Sequence, residues 1–180
     1  MHLKNHIIFS GGPGAGKTSL LEQLKLKGFN VKEEVGRKVI QEEKKENSEC
    51  LPWRDKCRFA DEMERLENEA LKATKTTESL IFLDRSIVDV YGYRQLEGLE
   101  IPKALEKSCS EIRHSKEVFM FPPWESIYQN DSERKQTFSE AVNTYQVMVS
   151  CYLKFGYSVT EMPLDTVKNR LQFILKAVSG

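Results

Sequence analysis

The stretch Gly11-Gly12-Pro13-Gly14-Ala15-Gly16-Lys17-Thr18 decides the fold of this chain. It fits the pattern GxxxxGK[ST], follows the apolar run Ile7-Ile8-Phe9 and precedes Leu20-Leu21-Glu22-Gln23-Leu24. This order predicts a strand, a glycine-rich turn and a helix whose first N–H groups point toward a bound phosphate. A glycine turn without a ligand is the simpler alternative, but the flanking strand and helix favour a phosphate loop.

Each residue type in this loop suits the binding of a magnesium nucleotide. Gly11, Gly14 and Gly16 allow the backbone to curl closely around phosphate groups. Lys17 brings a compact positive charge to the β- and γ-phosphates, and the Thr18 hydroxyl is a suitable ligand for Mg²⁺. The sequence therefore predicts an ATP and Mg²⁺ site formed by Gly11, Gly12, Pro13, Gly14, Ala15, Gly16, Lys17, Thr18 and Ser19.

Length, charge and hydropathy limit the classes of protein to which the chain can belong. The chain has 180 residues, which predicts one domain over 1–180 with a substantial core. Its 27 Lys and Arg balance its 27 Asp and Glu, so we expect no broad surface for nucleic acid. No apolar run approaches the roughly 20 residues that span a bilayer, and the amino terminus lacks a signal-peptide pattern. We expect a cytoplasmic protein without a membrane partner, whose oligomeric state stays open.

The cysteines and histidines predict no metal or nucleophile site. The four cysteines form no CxxC pair and have no zinc-ligand spacing with the three scattered histidines. We expect the thiols to be reduced and structural.

Short β-branched or aromatic runs alternate with longer helical patterns along the whole chain. The predicted strands are 6–10, 29–33, 79–84, 117–121 and 157–161. The predicted helices are 17–27, 36–46, 54–77, 87–97, 102–112, 132–154 and 165–178. Five strands with helical crossovers indicate an α/β fold of three layers, with a parallel sheet covered on both faces.

The carboxyl ends of the strands are where such a sheet binds ligands. The run Leu80-Ile81-Phe82-Leu83 ends at Asp84, and a strand that ends in Asp beside a phosphate loop typically supplies a carboxylate for Mg²⁺. Asp84 is therefore the Walker B candidate. The alternative is that Asp84 only caps the helix that follows.

Two adjacent carboxylates, Glu33 and Glu34, follow the second strand. Alternation along the strand leaves open which of them faces the site, but either would lie near a substrate hydroxyl if this strand flanks the third. We favour Glu34 as the base that accepts the proton of the attacking oxygen. Arg37 would lie on the same side of the first helical turn, where it clamps an anionic substrate or pairs with Glu34. The alternative is a surface ion pair.

A lid is expected after the fourth strand, around 122–136. Two prolines stiffen the start of this segment, and Asp131 or Ser132 would cap the long helix. Arg134 or Lys135 would then reach the transferred phosphoryl group as an arginine finger that neutralises developing charge. The alternative is that both are solvent-exposed residues of the first helical turn.

An acceptor pocket is the hypothesis for the segment from Trp53 to Phe59. Arg54 and Arg58 lie one helical turn apart between these two aromatic residues. A packed helix with two solvated arginines explains the same pattern.

Five elements in a fixed order carry a resemblance to a known family. They are GGPGAGKT at 11–18, Glu34-Val35-Gly36-Arg37, Asp84-Arg85 with Asp89 and Tyr93, Pro122-Pro123-Trp124 to Asp131 and Arg134, and Phe155-Gly156-Tyr157 to Pro163. Over nearly its whole length the chain resembles the AAA-type predicted ATPase/kinase family, which is similar to deoxynucleoside, thymidylate and ribosylnicotinamide kinases. The resemblance implies a P-loop kinase fold with strand order 2-3-1-4-5. It also implies that Arg85 touches phosphate or substrate, and that Met162-Pro163-Leu164-Asp165 borders the adenine.

Two functions remain open from the sequence. The first is a kinase that transfers the ATP γ-phosphate to a small acceptor such as a nucleoside or nucleotide, with Lys17, Glu34, Arg85 and Arg134 as its catalytic residues. The second is a regulatory ATPase or nucleotide-dependent switch that acts through a protein partner. Asp84 is followed by Arg rather than by the Glu that polarises water in typical AAA+ ATPases, so transfer to a bound acceptor is favoured over hydrolysis.

Overall fold

Strands and helices alternate along the chain in the computed structural model, which describes residues 2–46, 49–128 and 137–178. The strands in this part are β1 (His2–Leu3), β2 (His6–Gly11), β3 (Asn30–Lys32), β4 (Ile81–Asp84), β5 (Arg113–His114), β6 (Glu117–Phe121) and β7 (Ser158–Glu161). The α-helices are α1 (Lys17–Leu26), α2 (Val35–Glu46), α3 (Lys56–Thr74), α4 (Ile87–Leu96), α5 (Lys103–Glu111), α6 (Phe138–Lys154) and α7 (Val167–Val178). A short 3-10 helix covers Glu125–Ile127.

The main sheet has five parallel strands in the order β3-β4-β2-β6-β7. When only these five strands are numbered along the chain, their order is 2-3-1-4-5, so the expected topology is confirmed. Phe9 of β2 pairs with Asp84 of β4, and Gly11 at the end of β2 pairs with Phe121 of β6. This register brings the carboxyl ends of three strands together around the glycine-rich turn.

Helices cover both faces of the sheet because alternate side chains of the central strands are apolar on each side. One core joins the sheet to α1 and α7 through residues that include Phe9, Phe82, Phe119, Leu20, Leu24 and Ile174. The other core joins it to α2, α3, α4 and α6 through residues that include Ile8, Leu83, Met120, Val39, Phe59, Val88 and Tyr152. The three-layer α/β prediction is confirmed.

The predicted elements agree with the structure except at a few boundaries. All five predicted strands and all seven predicted helices are present, and β1, β5 and the 3-10 helix are additions that the sequence patterns did not indicate. The start of the long helix at 132 was wrong, because α6 begins at Phe138. The Thr137 side chain caps α6 by accepting from the Glu140 N–H at 3.2 Å, while the Glu140 carboxylate accepts from the Thr137 N–H.

Two further findings concern the described part of the chain. None of its helices is both long enough and apolar enough to cross a membrane. All four cysteines lie in this part, and no disulfide joins them.

Candidate functional site

The glycine-rich turn between β2 and α1 has the backbone that a phosphate loop needs. Gly11, Gly14 and Gly16 have φ angles of +127°, +68° and +79°, in the region where L side chains are strained. A Cβ on Gly11 would lie 2.3 Å from the carbonyl oxygen of Phe121, so only glycine fits beside β6. Lys17 is buried, and its Nζ donates to the Gly12 carbonyl at 2.8 Å, which folds the side chain back along the loop.

The two predicted metal ligands line one cleft. Thr18 is exposed in the first turn of α1, and Asp84 is buried at the end of β4. Both border a cavity of about 710 Å³. Ser86 caps α4 by accepting from the Val88 N–H at 3.2 Å, so the cap that was the alternative role for Asp84 belongs to another residue.

The structure separates the two candidate carboxylates after β3. The Glu33 side chain is 81% exposed and pairs with Lys25 at 3.2 Å. The Glu34 side chain is largely buried and accepts from Arg85 Nε at 2.9 Å. Glu34 borders both the cleft of Thr18 and Asp84 and a second cavity of about 600 Å³. Glu34 is therefore the carboxylate that lies between the two cavities.

Arg85 is held by carboxylates on two sides. Its Nε donates to Glu34, and its Nη1 donates to Asp89 Oδ1 at 3.0 Å. Burial alone would lower the pKa of Arg85, but Glu34, Asp89 and Asp84 raise that pKa above its ordinary value. Arg85 has φ +68° and is the one non-glycine residue with a positive φ in the described part of the chain. Its guanidinium is therefore charged and fixed beside Glu34.

Asp89 organises a buried hydrogen-bond network behind Arg85. Its Oδ1 accepts from Ser10 Oγ at 2.5 Å as well as from Arg85, and its Oδ2 accepts from the Ser86 N–H at 2.9 Å and from Tyr152 Oη at 2.5 Å. Burial and then the charge of Asp89 raise the pKa of Tyr152, which keeps its hydroxyl a donor. Since Ser10 directly precedes the glycine-rich turn, this network links the phosphate loop to the Glu34 and Arg85 pair.

A buried ion pair supports Arg85 from the other side. Lys32 Nζ of β3 donates to Glu67 Oε1 of α3 at 2.5 Å and to the Arg85 carbonyl at 3.1 Å. Burial raises the pKa of Glu67, and Lys32 opposes this shift. Lys32 thus stabilises the left-handed backbone of Arg85.

The second cavity lies between α2, α3, α4 and α6. Trp53 and Phe59 line it, as predicted for an acceptor pocket, together with Met63 and Tyr93. The two arginines of the predicted pocket do not line it. Arg54 pairs with Glu49 at 3.1 Å, and the exposed Arg58 pairs with Asp55 at 3.6 Å. The aromatic half of the predicted pocket therefore lies at this cavity and its basic half does not. Arg37 lines this cavity, the cleft of Thr18 and Asp84, and a third cavity beside the phosphate loop.

A third cavity of about 590 Å³ lies beside the other flank of the phosphate loop. It is bordered by residues 14–19, by Trp124, Ser126 and Ile127 near the 3-10 helix, and by Asp165, Thr166, Val167 and Arg170. Of the segment expected at the adenine, Asp165 lines this cavity, Met162 is buried in the core and Leu164 is half-exposed. The predicted lid overlaps this wall at Trp124, Ser126 and Ile127. Asp131, Ser132, Arg134 and Lys135 lie outside the described residues.

Sequence patterns missed four residues of this region: Lys32, Glu67, Asp89 as the centre of the network, and Arg170. A local signal existed only for Asp89, because Ser86-x-x-Asp89 is a capping-box spacing. Lys32 and Glu67 are 35 residues apart, and Arg170 contacts the phosphate loop across 155 residues. Such pairs become visible only when the elements pack.

The fold and the loop together define a P-loop protein of the nucleotide-binding class. The AAA domain family matches residues 6–170, and the chain belongs to this family. No curated protein sequence matches the chain.

Several solved structures share the fold. The chain is similar to a NadR protein in complex with NR, with a TM-score of 0.71 and 18% identity over 98% of this chain. It spans about half of that protein, 51%. It is also similar to a deoxyadenosine kinase from M. mycoides with dCMP and dCDP bound, with a TM-score of 0.64 and 14% identity over 97% of this chain and 98% of that one. A shikimate kinase from Acinetobacter baumannii in complex with shikimate has a TM-score of 0.59 and 14% identity over 98% and 93% of the two chains.

Proposed function

We propose that this protein is an ATP-dependent kinase that transfers the γ-phosphoryl group to a hydroxyl of a small, nucleoside-like acceptor. One observation carries the proposal: Glu34 lies at the border between two cavities. One cavity contains Thr18 and Asp84, and the other is lined by aromatic side chains. A carboxylate in this place suits an acceptor hydroxyl that enters from one cavity and meets phosphate from the other.

The side chains of the site have distinct tasks in this reaction. Lys17 leaves the Gly12 carbonyl to hold the β- and γ-phosphates. Glu34 orients the acceptor hydroxyl and accepts its proton as the oxygen attacks phosphorus. Arg85 fixes Glu34 and offers positive charge to the transferred group. Arg134 remains the proposed arginine finger. Positioning and electrostatics therefore supply most of the catalysis.

Mg²⁺ fits the oxygen donors of this cleft. Thr18 and Asp84 offer a hydroxyl and a carboxylate on the same side of the phosphate loop, and Mg²⁺ commonly takes one or two protein ligands besides phosphate and water. No cluster of three or more His, Cys, Asp or Glu side chains suited to a metal occurs among residues 2–46, 49–128 and 137–178, so the nucleotide would supply the remaining ligands. When bound, the ion neutralises charge on the phosphate oxygens.

The acceptor cavity favours a flat, partly apolar substrate. Phe59 and Tyr93 stack edge to face with ring centroids 5.4 Å apart on its wall, and Trp53 lies at its exposed rim. Aromatic walls of this kind suit a planar base. We therefore propose a nucleoside or a related base-bearing alcohol as the acceptor.

The test uses Glu34→Gln with Glu33→Gln as its matched control. A panel of nucleosides, nucleotides and vitamin-like alcohols is incubated with labelled Mg-ATP, and acceptor phosphorylation is measured beside ATP affinity. We expect Glu34→Gln to lose at least about a hundredfold in turnover, the lower range for an acid–base group, while ATP affinity persists. Glu33→Gln should retain both, because its side chain is exposed and pairs with Lys25.

The same experiment separates the regulatory alternative. Slow ATP turnover that no acceptor in a broad panel stimulates would favour a nucleotide-dependent switch. Equal acceptor phosphorylation by the wild type and Glu34→Gln would remove Glu34 from the mechanism.

A further inference from the structure

Within the part of the chain that the structure describes, two arginines are almost completely buried, and only one of them has a carboxylate partner. Arg94 and Arg170 are each 2% exposed. Arg94 forms an ion pair with Asp61 of α3 and donates to the Glu100 carbonyl at 3.0 Å. Among the residues that the structure describes, no carboxylate forms an ion pair with Arg170. A buried cation without an anionic partner costs free energy, so its presence in a folded protein requires a reason.

The contacts of Arg170 place it against the phosphate loop. Its Nη2 donates to the Ala15 carbonyl at 3.0 Å, and its Nη1 lies 2.7 Å from the point where a Cβ on Gly16 would stand. Its guanidinium lies over the rings of Phe121 and Trp124, at 4.7 and 5.8 Å from their centroids. These rings stabilise a cation only partly. Its Nε is buried without a hydrogen bond in the described structure.

Among the residues that the structure describes, one acidic side chain lines the cavity beside Arg170. Asp165 is the acidic residue on this wall, and its Oδ1 accepts from the Thr166 N–H at 2.6 Å and from Asn169 Nδ2 at 2.9 Å. Asp165 is thus engaged at the start of α7. The cavity therefore combines the phosphate loop with a buried positive charge that no carboxylate of the described residues pairs.

We infer that Arg170 is a nucleotide-binding residue whose counter-charge is the phosphate chain of the bound nucleotide. This inference rests on the proposed function only in that it takes the loop to bind a nucleoside polyphosphate. Without nucleotide, Arg170 holds the loop through Ala15. With nucleotide bound, the phosphate chain supplies the negative charge that pairs with the Arg170 guanidinium. Burial lowers the pKa of Arg170, and a phosphate nearby would oppose that shift.

The test compares Arg170→Gln, Arg170→Lys and the matched control Arg94→Gln in the full chain. Dissociation constants are measured for Mg-ATP and for magnesium tripolyphosphate, and unfolding by urea is measured without ligand. Arg170→Gln removes the charge and leaves a shorter, neutral side chain that still carries N–H donors. We expect it to weaken both ligands by about tenfold or more, as for the loss of a hydrogen bond to a charged group, without lowering the stability of the ligand-free protein. Arg170→Lys should lose less affinity than Arg170→Gln.

Arg94→Gln should show the opposite pattern. It breaks the ion pair of a buried arginine that lines none of the three cavities, so it should lower ligand-free stability and leave both dissociation constants unchanged. If Arg170→Gln behaves in this way, Arg170 is only a structural anchor and the inference is wrong. It is also wrong if ATP binding weakens while tripolyphosphate binding does not, since Arg170 would then contact the base.

The two proposals fail differently. Tripolyphosphate binding that depends on Arg170, without any acceptor phosphorylation, would support the inference and remove the kinase. Acceptor phosphorylation with unchanged affinities in Arg170→Gln would support the kinase and remove the inference. A wild-type protein that binds neither ligand would refute both.

Discussion

Arg85 shows how single side chains connect the two halves of the candidate site. Its guanidinium bridges Glu34 and Asp89, and Asp89 in turn accepts from Ser10, which leads into the glycine-rich turn. Charge-assisted hydrogen bonds of this kind are stronger and more directional than neutral ones. A shift of the phosphate loop on nucleotide binding would therefore be transmitted to Glu34 through Ser10, Asp89 and Arg85.

The left-handed backbone of Arg85 is testable with paired substitutions. Arg85→Ala and Arg85→Gly both remove the guanidinium, but only glycine adopts φ +68° without strain. We expect Arg85→Gly to be more stable than Arg85→Ala by about 1 kcal/mol in urea unfolding. Arg65, exposed in the middle of α3, provides the control. There the Arg65→Ala protein should be more stable to unfolding than the Arg65→Gly protein by about 1 kcal/mol. An advantage of Ala at both positions would show that residue 85 stores no backbone strain.

Among secondary-structure elements, the central strands were the most predictable. The runs that form β2, β4 and β6 are nearly continuous and apolar because helices cover them on both sides, so burial and sequence pattern coincide. The start of α6 was harder to predict, because the sequence offers two possible N-terminal caps for this helix. One is the group of polar residues near 131, and the other is the pair Thr137 and Glu140. Strands of two residues, such as β1 and β5, are too short to show a period.

The candidate site was predictable only where its chemistry follows a strand end. The phosphate loop, Asp84 and the pair of glutamates occupy such positions, and topology brings them together. Arg170 lies on the buried face of α7 beside Leu171, where the helical period predicts an apolar residue. The group that accepts its hydrogen bond is the backbone carbonyl of Ala15, and no pattern of side chains in the sequence indicates such a contact.

The ion pair between β3 and α3 gives a pH-dependent prediction. Burial raises the pKa of Glu67 in the folded state, so the folded protein binds more protons than the unfolded chain above the ordinary pKa of 4.5. The contribution of Glu67 to stability is therefore fully present below that pH and declines as pH rises through the raised pKa. In urea unfolding from pH 4.5 to 8, we expect the stability of Glu67→Gln relative to the wild type to increase with pH.

Glu69→Gln is the control for this series, because Glu69 is exposed on the same helix. Its stability difference from the wild type should change much less with pH. A Glu67→Gln difference that stays constant or falls as pH rises would mean that the buried carboxylate is not disfavoured by its surroundings.

Across the whole molecule, the parallel sheet separates the site from a second buried polar cluster. Gly11 ends β2 at the phosphate loop, whereas His6 begins β2 at the opposite end and stacks on His114 of β5, with ring centroids 5.4 Å apart. The Ser115 N–H also donates to the His6 carbonyl at 3.1 Å. The histidine pair thus joins the small β1–β5 ladder to the main sheet, away from the residues proposed to act on nucleotide.

This separation predicts acid sensitivity that is independent of nucleotide binding. Burial, followed by the charges of His6 and Lys32, lowers the pKa of His114 from 6.5 to about 3, so the unfolded chain binds more protons between these values. Stability should therefore fall as pH decreases below 6.5, by about 2 kcal/mol at pH 5 from His114 alone. His114→Phe keeps the ring stack and should lose this component in urea unfolding, with ATP affinity unchanged at pH 7.5. His2→Gln, at an exposed histidine, is the control and should show the same dependence of stability on pH as the wild type. If His114→Phe also shows the wild-type dependence, the pair of His6 and His114 does not govern acid stability.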